Sequence, residues 1–415
     1  MIASYTYIKK SGWKIIFFIL RFKKRFKMKT FITLLLLFFL NACTTVKIVQ
    51  GGKGEFTRPE NKTTVPFEEI RGMIFVRVKL NNTPKERMFL VDTGSSVSII
   101  SEEIFKELSL TALEKLPVIG VQKKDELYLT RLKSLQLGGV VFEDLGVIVS
   151  QDMKKISELI ETPIDGILGH NALRFFRLQF DFKQKNLTFY KDPLKNVIRI
   201  PMQVRWDKAP LIHAKIFGKK VSAIIDTGST CVIFPKKWVM DEYSLSAVKG
   251  STSYGAFGFT QEEYITQVKN LQIADILIPS IRAVALGKMD KTIQEVLILG
   301  TDVLKGFDVT LDYLTGYAIF KPIKDFVFEK SFTKSGVFLV KKEGKIEVAA
   351  VIQNSPADFL GILPEDQLIF INGKPTESFS LEELQEFFLG KNLKPFKAVF
   401  QRQKQNYEVE FFKIP

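Results

Sequence analysis

The chain has 415 residues, more than one ordinary hydrophobic core supports, so two or three domains are expected. A hydrophobic fraction of 46% argues against extensive disorder. The formal charge of +15 is concentrated at the start, where residues 1–42 carry nine Lys or Arg and no acid; the remainder holds +6 and no basic stripe interleaved with aromatics, which excludes nucleic-acid binding as a working reading.

The first element is "MKTFITLLLLFFLNAC", residues 28–43. Its apolar run at 31–40 is short for a membrane span and suits a secretory signal. Leu40-Asn41-Ala42-Cys43 resembles the bacterial lipoprotein cleavage box. The resemblance implies that Cys43 is lipidated and becomes the N-terminus, with Met28 as the start and residues 1–27 as an extension. Thr44, where an Asp would imply inner-membrane retention, points to the outer membrane. Residues 1–43 are thus read as extension and signal, and the bulk of the chain is expected in the cell envelope on a lipid anchor. Residues 44–65 lack periodicity, are rich in Gly, Thr and charge, and read as a tether.

Beyond the tether the sequence repeats itself. "FLVDTGSS" at 89–96 returns as "AIIDTGST" at 223–230. Each is preceded by an alternating strand pattern, "FVRVKL" or "LIHAKIF", and followed by a β-branched stretch. "YLTRLKSLQL" at 128–137 matches "YITQVKNLQI" at 264–273, and "GILGHNALRFFRLQFDF" at 166–182 matches "LILGTDVLKGFDVTLDY" at 297–313. Four matches in one order indicate a duplicated unit of ordinary domain size. Short strands bounded by Gly and Asn turns imply a mainly β class, closed or sandwich-like, with lobes at 66–195 and 196–325.

If the copies pack about a pseudo-two-fold axis, Asp92 and Asp226 meet. Two close carboxyls share one proton, so neither needs a cationic partner. The two Asp-Thr-Gly-Ser motifs, each followed by Ile-Leu-Gly (167–169 and 298–300), resemble the aspartic proteases, with short lobes of retropepsin type fused in one chain as in pepsins. The proton-sharing dyad is that family's known device. The resemblance implies an endopeptidase in which Asp92 and Asp226 activate a water against a peptide carbonyl, with neither metal nor cofactor. It assigns dyad support to Thr93, Gly94, Ser95, Thr227, Gly228 and Ser229: threonines interlock, glycines shape the turn, and the serine hydroxyls can donate to an outer carboxylate oxygen. One chain then suffices for one site. A flap is expected in "GVQKKDEL" at 120–127 or "GSTSYGAFGF" at 250–259, with Tyr254 either a flap tyrosine or an ordinary turn aromatic. A binding protein built on the same lobes, without turnover, is the alternative, though a pure binder gains nothing from two apposed acids.

Other chemistry is poorly provided for. His170 and His213 are the only histidines, too few for a His-based metal cluster. His213 sits on an alternating strand and reads as structural; His170 aligns with Thr301 of the other copy. Cys231 aligns with Val97 and reads as a small buried hydrophobe.

From about 330 a different pattern runs to 415. Ser355-Pro356-Ala357, Gly361-Ile362, Pro364, Asp366 and Ile371-Asn372-Gly373 resemble a PDZ domain of bacterial type. Ser380 and Glu383 form a capping-box pattern, Leu381, Leu384, Phe387 and Phe388 share a face, and Gly390 suits the stop. The resemblance implies an added-strand peptide site, with a carboxylate loop near "SGVF" at Gly336, Val337 and Phe338; a packing module without ligand is the alternative.

Overall fold

The computed structural model describes residues 2–3, 52–57, 61–119, 124–195, 197–204, 209–239, 244–250, 254–255, 258–259, 263–287, 296–330, 332–390 and 394–412. Cys43 and the signal segment lie outside the described residues. No helix among those described is long and apolar enough to cross a membrane.

Each repeat closes into a six-stranded barrel. In lobe 1 the ring runs Met73–Leu80, Glu86–Val91, Gly166–Leu168, Ser98–Ser101, Val140–Ser150 and Lys124–Leu137, which pairs back to Met73–Leu80. In lobe 2 the same ring is Pro210–Ile216, Lys219–Ile225, Val296–Leu299, Val232–Pro235, Ile276–Leu286 and Glu263–Ile273. The alternating pattern does what period two requires: along Pro210–Ile216, Ile212, Ala214 and Ile216 are buried while His213 and Lys215 face out. In both rings the short Ile-Leu strand wedges between the strand entering the Asp-Thr-Gly turn and the strand leaving it. Gly166–Leu168 runs parallel to Phe89–Val91 and antiparallel to Ile99 and Ile100.

The lobes are joined by a further sheet of six strands, three from each copy. Its order is Ile200–Pro201, Tyr317–Pro322, Phe307–Asp312, Arg177–Asp181, Asn186–Tyr190 and Lys62–Pro66. At its centre Arg177 lies opposite Asp312 and Asp181 opposite Asp308, the register a two-fold relation between the copies demands. The relation is broken chemically: Arg177 Nε donates to Asp312 Oδ2 at 2.9 Å, whereas Asp181 and Asp308 oppose each other as acids. The Asp308 carboxyl is raised from its ordinary value, by burial first and by the Asp181 charge second. One apolar core runs from barrel to barrel through this sheet, from Val78, Phe89 and Phe142 through Phe180, Val309 and Leu311 to Ile225 and Phe234.

Two strands fall within the stretch expected to be a tether. Lys53–Phe56 pairs with the Val140–Ser150 strand, and Lys62–Pro66 takes the edge of the interlobe sheet. Their anchors are single apolar residues in polar surroundings, which is why the composition read as linker. Phe56 packs edge-on to Phe176 at 5.4 Å, and Val65 is buried.

The C-terminal unit holds its own core around Val337, Val348, Leu368, Leu384, Phe388, Phe400 and Phe411. Helix Leu381–Leu389 begins with a complete capping box, Glu383 N–H to Ser380 Oγ at 3.2 Å and Ser380 N–H to Glu383 Oε2 at 2.7 Å. It ends at Gly390 with φ +72°. Asp366 is buried and gathers Arg402, Tyr407 and the Leu363 N–H.

This unit is sewn to both lobes. Strand Ser246–Gly250 of lobe 2 pairs antiparallel with Lys345–Ile352. Lys341 reaches Glu161, at the end of lobe 1 helix Asp152–Ile160, at 3.2 Å.

Candidate active site

Both Asp-Thr-Gly turns leave their barrels at the interlobe axis, so each acid meets its counterpart. The Asp92 and Asp226 carboxyls lie within hydrogen-bonding reach of one another and are almost wholly buried. Backbone bonds fix each turn. Asp92 N–H donates to Leu168 O and Asp226 N–H to Leu299 O, both at 3.0 Å. Gly94 N–H and Ser95 N–H donate to Asp92 Oδ1, and Gly228 N–H donates to Asp226 Oδ1, all at 2.9 Å. Among the described residues no N–H or O–H reaches Asp92 Oδ2, which is buried beside the second acid.

Beneath the carboxyls the threonines interlock. Thr93 N–H donates to Thr227 Oγ1 at 3.1 Å and Thr227 N–H to Thr93 Oγ1 at 3.0 Å. Each hydroxyl then donates across the axis to a carbonyl of the opposite lobe, Thr93 to Ile225 O at 2.7 Å and Thr227 to Val91 O at 2.6 Å. Four bonds therefore cross the axis under the dyad. The hydroxyl groups are fully buried, so losing either would leave an N–H and a carbonyl unmet at about 1–3 kcal/mol each.

Burial penalises two charges here more than one, and the neighbouring Asp226 charge adds to it. Asp92 is accordingly held well above the ordinary carboxylate range, by desolvation first and by Asp226 second, against the lowering bonds of Ser95 and Gly94. The pair keeps one proton where isolated aspartates would have lost theirs.

Besides donating their amides to the turns, the glycines have a role that was not expected. Neither Gly94 nor Gly228 needs a left-handed backbone. A Cβ on Gly94 would lie 2.7 Å from Asp226 Cγ, and one on Gly228 would lie 2.4 Å from Asp92 Cγ. Each motif's glycine makes room for the other motif's acid. Gly169 and Gly300, which follow the Ile-Leu pairs, are likewise packed on the acid-bearing loops: a Cβ on Gly169 would lie 3.0 Å from Ser95 O, and one on Gly300 would lie 2.7 Å from Ser229 O.

A second difference concerns the serines. Ser95 Oγ donates to Val97 O at 2.9 Å and Ser229 Oγ to Cys231 O at 3.2 Å, bracing their own turns. The bond expected from the Ser95 hydroxyl to a carboxylate comes instead from its backbone N–H.

A family model described as aspartyl protease matches residues 76–172 and 212–303, and one described as PDZ domain matches 329–394. The two lobes are aspartyl protease-like. No curated protein matches the chain. Among solved structures, the basic 7S globulin from soybean is similar at 10% identity and a TM-score of 0.38, covering 63% of this chain and 95% of that one.

Around the two apposed acids of these lobes stand residues the motif did not single out. Asn171, buried, accepts from Ser98 N–H at 2.8 Å and Ser98 Oγ at 2.9 Å, and donates to Gly146 O at 2.7 Å, which holds the Ile-Leu-Gly segment in place. Tyr313, aligned with Phe182 in the repeat, packs edge-on to His170 at 5.2 Å. Its buried hydroxyl is raised by desolvation and then by the charges of Asp92 and Asp226. The signal was present as a Phe-to-Tyr difference between copies, but nothing marked it as close to the acids. Cys231 sits in a core with Ile224, Ile233, Val284 and Ile298, and burial pushes its thiol up.

The two flap candidates are one element seen twice. Glu114–Ile119 and the first part of Lys124–Leu137 form a hairpin in lobe 1, and Ser246–Gly250 with Glu263–Ile273 forms its counterpart in lobe 2. Residues 120–123 and 251–253 lie outside the described residues, and of Tyr254 only the backbone is described.

In the PDZ domain, the loop expected to receive a carboxylate has its amides engaged internally. Ser335 N–H donates to Phe388 O at 3.2 Å, Gly336 N–H to Thr333 Oγ1 at 3.4 Å and Val337 N–H to Ser335 Oγ at 3.1 Å. Phe338 pairs with Ala350 at a bulge in the strand.

Proposed function

We propose that the chain is an aspartic endopeptidase. The observation that carries this reading is the pair Asp92 and Asp226, in mutual reach and locked from below by Thr93 and Thr227. A water placed between the carboxyls loses a proton to the ionised member as its oxygen attacks the scissile carbonyl carbon. The protonated member gives its proton to the carbonyl oxygen. The tetrahedral diol then collapses, the nitrogen leaves protonated, and the pair returns to its one-proton state. The Gly94, Ser95 and Gly228 amides hold the acids in place without supplying charge. Water, rather than a side chain, is the nucleophile, so no acyl-enzyme forms.

The substrate expected of an aspartic endopeptidase is an unfolded or extended polypeptide, since a hairpin that folds down over the acids admits a strand and not a folded surface. Cleavage needs one proton on the pair. It should fall at acid pH, when both members are protonated, and at high pH, when the shared proton leaves. Because Asp92 is raised, the upper limb should lie well above the ordinary carboxylate value of about 4. The test is incubation of the purified chain with a denatured protein from pH 3 to 8, scored by new internal N-termini. A bell-shaped profile on the acid side of neutral is expected. Absence of cleavage at every pH, or a maximum above pH 8, would sink the reading.

The place of action belongs to the same proposal: the cell envelope, through a lipid on Cys43, supported by the residues 28–43 pattern. Cys43→Ser should move the protein out of the membrane fraction and abolish incorporation of a labelled fatty acid. Unchanged labelling would exclude that anchor.

A further inference from the structure

The duplication gives the residues around the dyad mates in the other lobe, so a polar group present in one copy alone stands out. Tyr313 is such a group: its mate is Phe182. Phe182 packs against Phe67 and Phe180, in apolar surroundings. Tyr313 instead crosses from lobe 2 to lobe 1 and stands edge-on to His170, whose mate is Thr301. His170 is tied to the first acid turn, since its N–H donates to Ser95 O at 2.8 Å. The one-sided pair therefore lies on the Asp92 flank of the site.

The turn that carries Tyr313 is firmly held. Asp312, fixed by Arg177, accepts from Leu314 N–H at 3.1 Å and from Thr315 N–H at 3.0 Å. The Tyr313 hydroxyl is buried, and among the described residues it has no hydrogen-bond partner. Both acid charges act on it, Asp92 before Asp226. A hydroxyl is a rotor whose hydrogen turns to suit its surroundings. Beside a pair that carries one negative charge, the hydrogen end points at that charge. This orientation favours the ionised forms of the pair over the fully protonated one.

We propose that Tyr313 is a positioning residue of the dyad: its hydroxyl dipole, aimed at the acids from beside His170, favours their ionised forms and moves to lower pH the window in which the pair holds one proton. It opposes the effect of burial without cancelling it. The proposal deepens the hydrolytic reading and rests on it for its purpose; the electrostatic claim needs no turnover. Other ionisable groups on the elements packed around the pair have partners of their own. Asp302 is paired with Arg282 at 2.7 Å, Asp312 with Arg177 at 2.9 Å and Lys305 with Glu69, while Arg174 stacks on Phe175. Burial keeps the Cys231 thiol protonated. The imidazole of His170 is the group to be separated from the hydroxyl by experiment.

Tyr313→Phe removes one oxygen and gives lobe 2 the residue that its mate carries. In the full chain, both limbs of the cleavage–pH profile should move upward by roughly 0.5–1 pH unit, with far-ultraviolet circular dichroism unchanged. The second readout is urea unfolding, which needs no cleavage. A pair that keeps its proton to higher pH loses more stability as pH rises. The urea midpoint of Tyr313→Phe, relative to the parent, should therefore fall steadily between pH 3 and pH 8. Tyrosine in the unfolded chain ionises near about 10, outside that range. His170→Gln keeps a polar side chain that cannot take up a proton, and the Tyr313→Phe shift should persist in that background. Limbs that stay or move down in an active chain, a midpoint difference constant with pH, or a shift that vanishes with His170→Gln each overturn the proposal. A parent chain that cuts nothing at any pH ends the hydrolytic reading alone, and the urea comparison still decides the role of Tyr313.

Discussion

Replacing Asp92 by Asn is expected to end hydrolysis and, at neutral pH, to make the folded chain more stable than the parent. Asn has neither a proton to lend nor a charge to take one, so the exchange with water stops. Asp226→Asn should end it equally, because the pair acts as a unit. The gain in stability follows from proton linkage. The buried Asp92 holds its proton to a higher pH than an aspartate of the unfolded chain, which ionises near about 4. Between those two values the folded state binds more protons, and stability falls as pH rises. Below the lower value both states are protonated and the penalty vanishes. Asn at 92 carries no such penalty at any pH. The variant and parent should therefore unfold at the same urea concentration near pH 3 and diverge as pH rises, by roughly 0.5–2 kcal/mol in favour of the variant, the size common when a strained functional group is removed. Parallel pH curves for the two proteins would show that the dyad is not electrostatically stressed, and the proton-sharing mechanism would lose its physical basis.

The dyad could be read from the sequence because it is a consequence of duplication. Two copies with acids at one offset place those acids symmetrically about a two-fold axis, and they meet where the motif lies at the axis; the Arg177–Asp312 and Asp181–Asp308 pairs record that axis in the backbone register. The Thr interlock follows from the same symmetry. What the sequence could not supply was the environment of each small residue. A glycine beside an acid suggests a tight turn, yet Gly94 and Gly228 are small because a carboxyl from the other lobe stands against them, contacts 132 and 136 residues apart in the chain. A serine after the glycine suggests a donor to the acid, yet its hydroxyl turns back to its own loop and leaves that work to an amide.

Backbone pairings were harder still to foresee. The union of Ser246–Gly250 with the PDZ strand Lys345–Ile352 uses main-chain groups that every residue possesses, so no side-chain pattern announces it. Lys53–Phe56 escaped for the same reason: four residues, one of them a glycine, are too few to show alternation. The PDZ helix, by contrast, was legible to its caps, because Ser380, Glu383 and Gly390 act through side chains or a special torsion at fixed spacing. Gln385 lies within that same helix, and nothing in the sequence distinguishes it from an ordinary polar helix residue. Its partner atoms belong to the backbone of a strand 46 residues earlier.

Gly228→Ala should cost both activity and stability, and the loss of stability should depend on a residue in the other lobe. The new methyl would lie 2.4 Å from Asp92 Cγ and 2.5 Å from Oδ2, well inside contact distance, with Thr93 and Thr227 clamping the turns so that neither can withdraw. Overpacking of this kind costs about 1–3 kcal/mol. The Asp92 carboxyl must move by a good fraction of an ångström, and misplacement of a catalytic group on that scale is worth roughly 100-fold in rate. Gly94→Ala should do the same to Asp226. The deciding measurement is a double-mutant cycle on stability. Removing the opposing carboxyl with Asp92→Ala makes room for the methyl, so Gly228→Ala should then be nearly silent, within about 0.5 kcal/mol. A turn torsion peculiar to glycine would instead make Gly228→Ala equally costly in both backgrounds. The pairing of each glycine with the opposite acid would then be incidental, and the two lobes would not be matched across the dyad as the distances require.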